Sequence, residues 1–179
     1  ALWHLDEGGG TILSDASGNG NTATLIGDTR PQWAPPGVFG GDCLHLTCGY
    51  NDTANKYGAV QIPSGVLNKS NLTVEMYANW DYESISYNSS DPGFLGYLLV
   101  DGSSMFVRTY MDSRIGPLYR CRLLLSINTS GGVVEVTTPA EYSLASQTWT
   151  HIAFVQKWDG SRTTASIYIN RELAASNSI

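Results

Sequence analysis

Short segments in which apolar and polar residues alternate recur along the 179-residue chain, and they constrain its fold more than any other feature. The clearest segment covers residues 72–80, where every second residue is apolar, as in a strand with one buried face. Turns rich in Gly, Asn and Ser separate the segments, and none shows the 3.6-residue period of a helix. The pattern predicts an all-β protein built from antiparallel strands.

Such segments follow one another closely enough to fill a single domain, predicted to span residues 1–179. Many short strands with tight turns indicate two sheets packed as a sandwich or jelly roll. Two long connections, residues 29–41 and 81–93, interrupt the series. The predicted strands are residues 2–5, 21–26, 43–48, 59–62, 72–80, 95–100, 105–110, 119–127, 133–137, 151–158 and 164–169.

Acidic residues outnumber basic ones by 16 to 10, which gives a formal net charge of -6. This balance argues against nucleic acid as a partner, because binding to its phosphates requires clustered Lys and Arg. No apolar run approaches the ~20 residues of a membrane span. Charged residues make up 15% of the chain, against about 25% in typical domains. Ser, Thr, Asn and Gly take their place, which suits a loop-rich extracellular β protein.

Blocks near both ends and in the middle of the chain, in a fixed order, resemble laminin-G-like (concanavalin A-like) jelly-roll domains of secreted proteins. The resemblance spans almost the whole chain and implies that fold, with an extracellular or cell-surface location. The blocks are Leu2-Trp3-His4-Leu5-Asp6, Asp15-Ala16-Ser17-Gly18-Asn19, Phe39-Gly40-Gly41-Asp42-Cys43-Leu44, Gly58-Ala59-Val60-Gln61-Ile62, Asn71-Leu72-Thr73-Val74-Glu75-Met76-Tyr77, Trp149-Thr150-His151-Ile152-Ala153 and Ile167-Tyr168-Ile169-Asn170.

The sequence departs from this family at two places. Arg171 occupies the position of the usual hairpin glycine, so we expect a looser turn or a turn of another type. The family also continues with a strand that pairs near the first one, and no residue after Ile179 can supply it. We therefore expect either a longer native chain or a strand supplied by a neighbouring copy.

Calcium is the cofactor that the sequence suggests, in a structural role. Residues 15–21 concentrate the oxygen ligands that this cation prefers in a tight Gly-rich turn. The resemblance implies a site near the first strand and this turn, with Asp6, Asp15, Asn19 and Asp42 as candidate ligands. The alternative is that Asp15 and Asn19 only hydrogen-bond their own turn.

Aromatic residues near strand ends are the candidates for ligand binding, namely Tyr82, Tyr87 and Trp158. Sugar rings have apolar faces that stack on such side chains, although core packing is the alternative for each. We predict no enzyme activity. Glu75 and Asp81 share a strand face but would lie ~20 Å apart, too far for a glycosidase pair.

The three cysteines, Cys43, Cys48 and Cys121, fit an oxidising compartment but leave one unpaired. A Cys48–Cys121 disulfide is conceivable, since both residues lie on apolar strand faces, with a Cys43–Cys48 bridge or three thiols as alternatives. Five sequons of the form Asn-x-Ser/Thr predict exposed sites for N-glycosylation. Their asparagines are Asn51, Asn68, Asn71, Asn88 and Asn128.

These observations together predict a non-catalytic extracellular recognition module that binds carbohydrate or a protein surface. The alternative is a structural subunit of an extracellular filament or surface layer, whose copies associate through their sheet edges.

Overall fold

The computed structural model of the protein describes residues 1–27, 31–46, 58–79, 94–101, 105–115 and 118–179. In these residues the fold is all-β, and all paired strands named below run antiparallel. One 3-10 turn, Ala140–Tyr142, is the only helical element described, and no described helix has the length and hydrophobicity of a membrane span. The predicted all-β, antiparallel class is confirmed. The chain contacts group into two compact units, residues 1–68 and 69–179.

The first unit contains five short strands in two small sheets. Its three-stranded sheet has the order β1-β2-β5, and its two-stranded sheet pairs β3 with β4. Its small apolar core consists of the buried Leu13, Ala23 and Leu25, against which Trp3 and Trp33 pack. The strands are β1 (Ile12–Leu13), β2 (Ala23–Gly27), β3 (Gln32–Ala34), β4 (Cys43–His45) and β5 (Gly58–Gln61).

The second unit contains two larger sheets. The first has the strand order β10-β9-β8-β7, and the short β11 also pairs with β9. The second has the order β14-β13-β12-β6. The strands are β6 (Leu72–Asn79), β7 (Phe94–Asp101), β8 (Met105–Ile115), β9 (Leu118–Thr129), β10 (Gly132–Thr137), β11 (Leu144–Ala145), β12 (Trp149–Trp158), β13 (Thr163–Ile169) and β14 (Glu172–Ser178).

Buried side chains from both sheets of the second unit form one apolar cluster. Leu123 and Leu125 of β9 and Ile152 and Phe154 of β12 are almost fully buried there. The alternation predicted for β6 is confirmed, because Leu72, Val74, Met76 and Ala78 pack against this cluster. The residues between them, Thr73, Glu75, Tyr77 and Asn79, are exposed and share the opposite face, which we call the outer face of the four-stranded sheet.

The hairpin that joins β13 to β14 has a two-residue turn, where the sequence had led us to expect a looser turn or a turn of another type. Its two central residues, Asn170 and Arg171, have φ angles of 52° and 74°, the left-handed backbone that a type I′ turn requires. Arg171 therefore adopts the conformation that the usual glycine would adopt more easily.

Several predicted elements differ from the structure. Residues 2–5 form no strand, and Leu5 has a φ of 59° that a strand cannot accommodate. Strand β3 lies inside the connection predicted for residues 29–41, and β1, β11 and β14 were not predicted. These strands are two or three residues long or mostly polar, so apolar alternation could not reveal them.

Candidate functional site

Glu75, Tyr77 and His151 form a cluster on the outer face of the four-stranded sheet, called here the outer-face cluster. Tyr77 lies directly opposite His151 in the pairing of β6 with β12, and Glu75 lies opposite the next outer-face residue of β12, Ala153. The rings of Tyr77 and His151 have centroids 5.0 Å apart and are tilted by 59°. Tyr77 nevertheless remains 41% exposed, so an aromatic ring is both held in place and accessible.

The imidazole of His151 connects the aromatic and acidic parts of the cluster. Its Nε2 lies 3.5 Å from Oε2 of Glu75, and the Glu75 side chain is 69% exposed. Its Nδ1 is buried and has no hydrogen-bond partner among the described residues. Because a buried N–H without an acceptor is costly, we assign the proton of the neutral ring to Nε2, where it points towards the Glu75 carboxylate.

Asn170 fixes the backbone of His151 at the end of the strand pairing. The N–H of Asn170 donates to the carbonyl of His151 at 2.9 Å. The N–H of His151 in turn donates to Oδ1 of Asn170 at 3.2 Å. The side chain of Asn170 therefore supplies the acceptor that a further strand residue would have supplied, and His151 is held on both sides.

The outer face continues from this cluster across β13 and β14. Ala153, which is small and buried, lies opposite both Glu75 and the half-buried Tyr168. Further along, hydroxyl groups pair across β13 and β14, with Ser166 Oγ 2.9 Å from Ser176 Oγ. The face thus combines aromatic rings, one carboxylate at the cluster and a set of hydroxyl groups.

Of the three ligand-binding residues predicted from the sequence, only Trp158 can be placed. Tyr82 and Tyr87 lie outside the described residues. Trp158 is 43% exposed at the end of β12, seven residues from His151, or about 23 Å along an extended strand. It therefore does not belong to the outer-face cluster. The alternation in β6 indicated that Glu75 and Tyr77 share a face, but the pairing with β12 that adds His151 comes from the structure.

Asp15 organises the turn that was predicted to bind calcium. Its Oδ1 accepts hydrogen bonds from the N–H of Leu2 and from the N–H and hydroxyl of Ser17, at 2.9, 3.0 and 2.6 Å. Its Oδ2 accepts from the N–H and the amide of Asn21, at 2.9 and 3.2 Å. The Ser17 hydroxyl, followed by the Leu2 and Asn21 N–H groups, holds the pKa of Asp15 well below its usual value.

The other predicted calcium ligands do not converge on Asp15 through direct contacts. Asn19 donates from Nδ2 to the Ser17 hydroxyl at 3.0 Å. The carboxylate of Asp42 lies against Gly8, and Asp6 is exposed. No group of three or more His, Cys, Asp or Glu side chains in the described parts of the chain is arranged to hold a metal. Calcium binding stays a prediction, and the alternative of a self-bonded turn describes the contacts of Asp15 and Asn19.

Cys121 is fully buried in the larger core, and burial raises the pKa of its thiol to about 12. Its predicted partner, Cys48, lies outside the described residues, as do Asn51 and Asn88. Cys43 donates from Sγ to the carbonyl of Ala34 at 2.9 Å. The remaining predicted glycosylation sites, Asn68, Asn71 and Asn128, are all exposed.

Comparisons of the chain with protein-family models, curated proteins and solved structures found no match.

Proposed function

We propose that this protein is a non-catalytic extracellular recognition module with a laminin-G-like jelly-roll sandwich fold, and that it binds carbohydrate through the outer face of its four-stranded sheet. The observation that carries the proposal is the outer-face cluster, in which an exposed tyrosine ring is braced against His151 beside an exposed carboxylate. Apolar burial by both larger sheets in one core supports the sandwich part of the proposal.

A sugar offers one apolar face and several hydroxyl groups, and the outer-face cluster complements both. The ring of Tyr77 is accessible for stacking on the apolar face. Glu75 can accept hydrogen bonds from two sugar hydroxyls, and charge-assisted bonds of this kind are stronger than neutral ones. His151 braces the tyrosine and points its N–H at Glu75, so little side-chain freedom is lost when a ligand binds.

The neighbour of Glu75 favours binding over hydrolysis. Glycoside hydrolysis uses two carboxyl groups about 5 to 9.5 Å apart on opposite sides of the scissile bond. Glu75 instead has the His151 imidazole as its near neighbour, at 3.5 Å. A carboxylate beside an aromatic ring is suited to orienting a sugar.

The direct test is binding of oligosaccharides to protein made in bacterial cytosol, which adds no glycan of its own. An oligosaccharide array identifies the ligand, and calorimetry then measures its affinity. We expect Tyr77→Ala and Glu75→Gln each to weaken binding about tenfold, which corresponds to ~1.4 kcal/mol. Val133→Ala, an exposed apolar position on the β9–β10 hairpin, serves as the matched control with unchanged affinity. Absence of binding to every sugar class, or binding unaffected by Tyr77→Ala, would refute the proposal.

Assembly through sheet edges is the second candidate function, because β14 forms one edge of the four-stranded sheet. Asn177 caps part of that edge. Its Nδ2 donates to the carbonyl of Glu135 at 2.8 Å, and its Oδ1 accepts from the N–H of Ser178 at 2.9 Å. We therefore place recognition ahead of assembly. Sedimentation of a stable 19.4 kDa monomer would exclude assembly by the isolated chain.

A further inference from the structure

Another aromatic ring, that of Tyr168, lies on the outer face at a distance from the outer-face cluster. Tyr168 is opposite Ala153 in the pairing of β13 with β12, and Ala153 is opposite Glu75 in the pairing of β12 with β6. Because residues that pair directly across strands project to the same face, Tyr168 shares the face of Glu75 and Tyr77. Tyr168 is half-buried, so part of its side chain is packed while the rest meets solvent.

Leu173 extends the apolar surface of Tyr168 to the edge of the sheet. It lies opposite Tyr168 in the pairing of β14 with β13 and is 51% exposed. On the other side of Tyr168, Ala153 has only a methyl group, so no large side chain of that row separates Tyr168 from the outer-face cluster. Grouped apolar side chains that stay exposed are typical of a binding surface.

The separation of Tyr77 and Tyr168 limits the ligands that can contact both. The two residues are two strands apart and offset by one outer-face position along the strands, which places their Cα atoms about 12 Å apart. The line between these atoms crosses β12 between His151 and Ala153. A single sugar ring is too short for this distance, so a ligand that reaches both tyrosines is a chain of about three or more sugars.

Charge and shape narrow the class of glycan further. The side chain of Glu75 is 69% exposed beside Tyr77, and the chain has a formal net charge of -6, so acidic sugars are repelled. The glycan must also be straight to contact two rings on one sheet face. Chains of β-1,4-linked glucose, mannose or N-acetylglucosamine are straight because both bonds of each linkage are equatorial, whereas the axial bond of an α-1,4 linkage curves the chain.

We propose that the outer face binds a linear, uncharged β-1,4-linked glycan that stacks on Tyr77 at one end and on Tyr168 at the other. Glu75 orients the sugar above Tyr77 by accepting hydrogen bonds from its hydroxyls, and Leu173 widens the apolar surface at Tyr168. One ligand links the two contacts, so the second contact forms at a high effective concentration and affinity rises with chain length. The inference rests on the proposed function, to which it adds a ligand class and a second contact on the same face.

Calorimetry with β-1,4-linked oligomers of glucose, mannose and N-acetylglucosamine tests the second contact. In the series that binds, we expect the tetramer to bind at least about tenfold more tightly than the dimer. The α-1,4-linked glucose tetramer is the matched control for shape, and it should bind no more tightly than its own dimer. The proposal is overturned if dimer and tetramer of every β-linked series bind equally, or if the α-linked tetramer binds as tightly as the β-linked ones.

Substitution of Tyr168 separates the second contact from the first. Tyr168→Ala should weaken tetramer binding about tenfold and leave dimer binding unchanged, which also shows that the outer-face cluster has kept its fold. Tyr77→Ala should weaken binding of both. Tyr168→Phe keeps the ring and should bind the tetramer like the wild type. If Tyr168→Ala does not fold, Tyr168→Leu, which keeps an apolar side chain for packing but no ring, should show the same loss.

The outcomes distinguish this inference from the proposed function. Tetramer binding that is weakened by Tyr77→Ala but not by loss of the Tyr168 ring overturns the inference and leaves the proposed function standing. The same holds if a sugar of another class binds through Tyr77 and no β-1,4-linked oligomer binds. Absence of binding to every sugar overturns both.

Discussion

Replacing Arg171 with glycine should stabilise the protein, although most substitutions destabilise the proteins in which they are made. Arg171 is the second central residue of the β13–β14 hairpin and has a φ of 74°. A side chain in this left-handed region brings Cβ too close to the following carbonyl oxygen, which costs roughly 1–2 kcal/mol. Glycine has no Cβ and adopts the same backbone without that cost.

The expected gain is smaller than the strain that is relieved. Glycine also gives the unfolded chain more freedom, which lowers the free energy of unfolding by about 0.4–1 kcal/mol. The difference leaves Arg171→Gly more stable than the wild type by about 1 kcal/mol. For a chain of this length, that gain raises the melting temperature by about 2–4 °C.

Urea unfolding followed by far-UV circular dichroism measures this difference, and two further variants identify its cause. Arg171→Ala removes the charge but keeps the Cβ, so it should show no comparable gain. Asn170→Gly relaxes the neighbouring residue, but it loses the Oδ1 acceptor for the His151 N–H, a bond worth about 1 kcal/mol. It should therefore be less stable than Arg171→Gly. If Arg171→Gly and Arg171→Ala unfold at the same urea concentration, backbone strain at this position is not the cause.

Three further predictions concern the cores and the Asp15 turn. Oγ1 of the buried Thr138 accepts a hydrogen bond of 3.0 Å from the Leu123 N–H. Thr138→Val should therefore lower the free energy of unfolding by about 1–2 kcal/mol and expose the Leu123 amide to hydrogen exchange. Thr138→Ser should keep that amide protected. Phe154→Ala should cost about 3–5 kcal/mol in urea unfolding, because the ring is almost fully buried; a smaller loss than that of Thr138→Val would contradict this description of the core. Asp15 has a pKa below its unfolded value, so its stabilising contribution is full above about pH 5 and lost as pH falls below ~4. The melting temperature should therefore fall less in acid for Asp15→Asn than for the wild type. Equal falls in melting temperature would refute the role of this carboxylate.

Apolar alternation predicted most of the strands that line the larger core, because one face of each is buried there. In β6 this pattern identified both the strand and its inward residues, from Leu72 to Ala78. The same criterion missed β14, whose sequence is mostly polar. That strand pairs with β13 through bonds to which hydrophobicity gives no clue, such as the Ser166 to Ser176 hydroxyl contact at 2.9 Å.

The outer-face cluster required information that a single sequence does not contain. From the sequence, Glu75 was assessed only as a carboxylate too far from Asp81 for catalysis, and His151 only as part of a block that resembles laminin-G-like domains. Each interpretation treated its residue alone. The register of β6 against β12 brings Tyr77 opposite His151, and a shift of β6 by one residue would move Tyr77 to the core face, away from His151. Site prediction therefore depended on strand register, which the alternation within each strand does not determine.

Strand register also determines where strand pairing stops, and a polar side chain accepts a backbone hydrogen bond at three of these places. Asn71, Thr138 and Asn170 each use a side-chain oxygen to accept a backbone N–H, from Trp158, Leu123 and His151 respectively. A backbone N–H without a partner is costly where water is excluded, so each oxygen extends the ladder beyond the last paired residue. Asn170 supports the outer-face cluster in this way, because it holds the backbone of His151. Side chains therefore complete the hydrogen bonding of β12 where its pairing with β13 and with β6 stops.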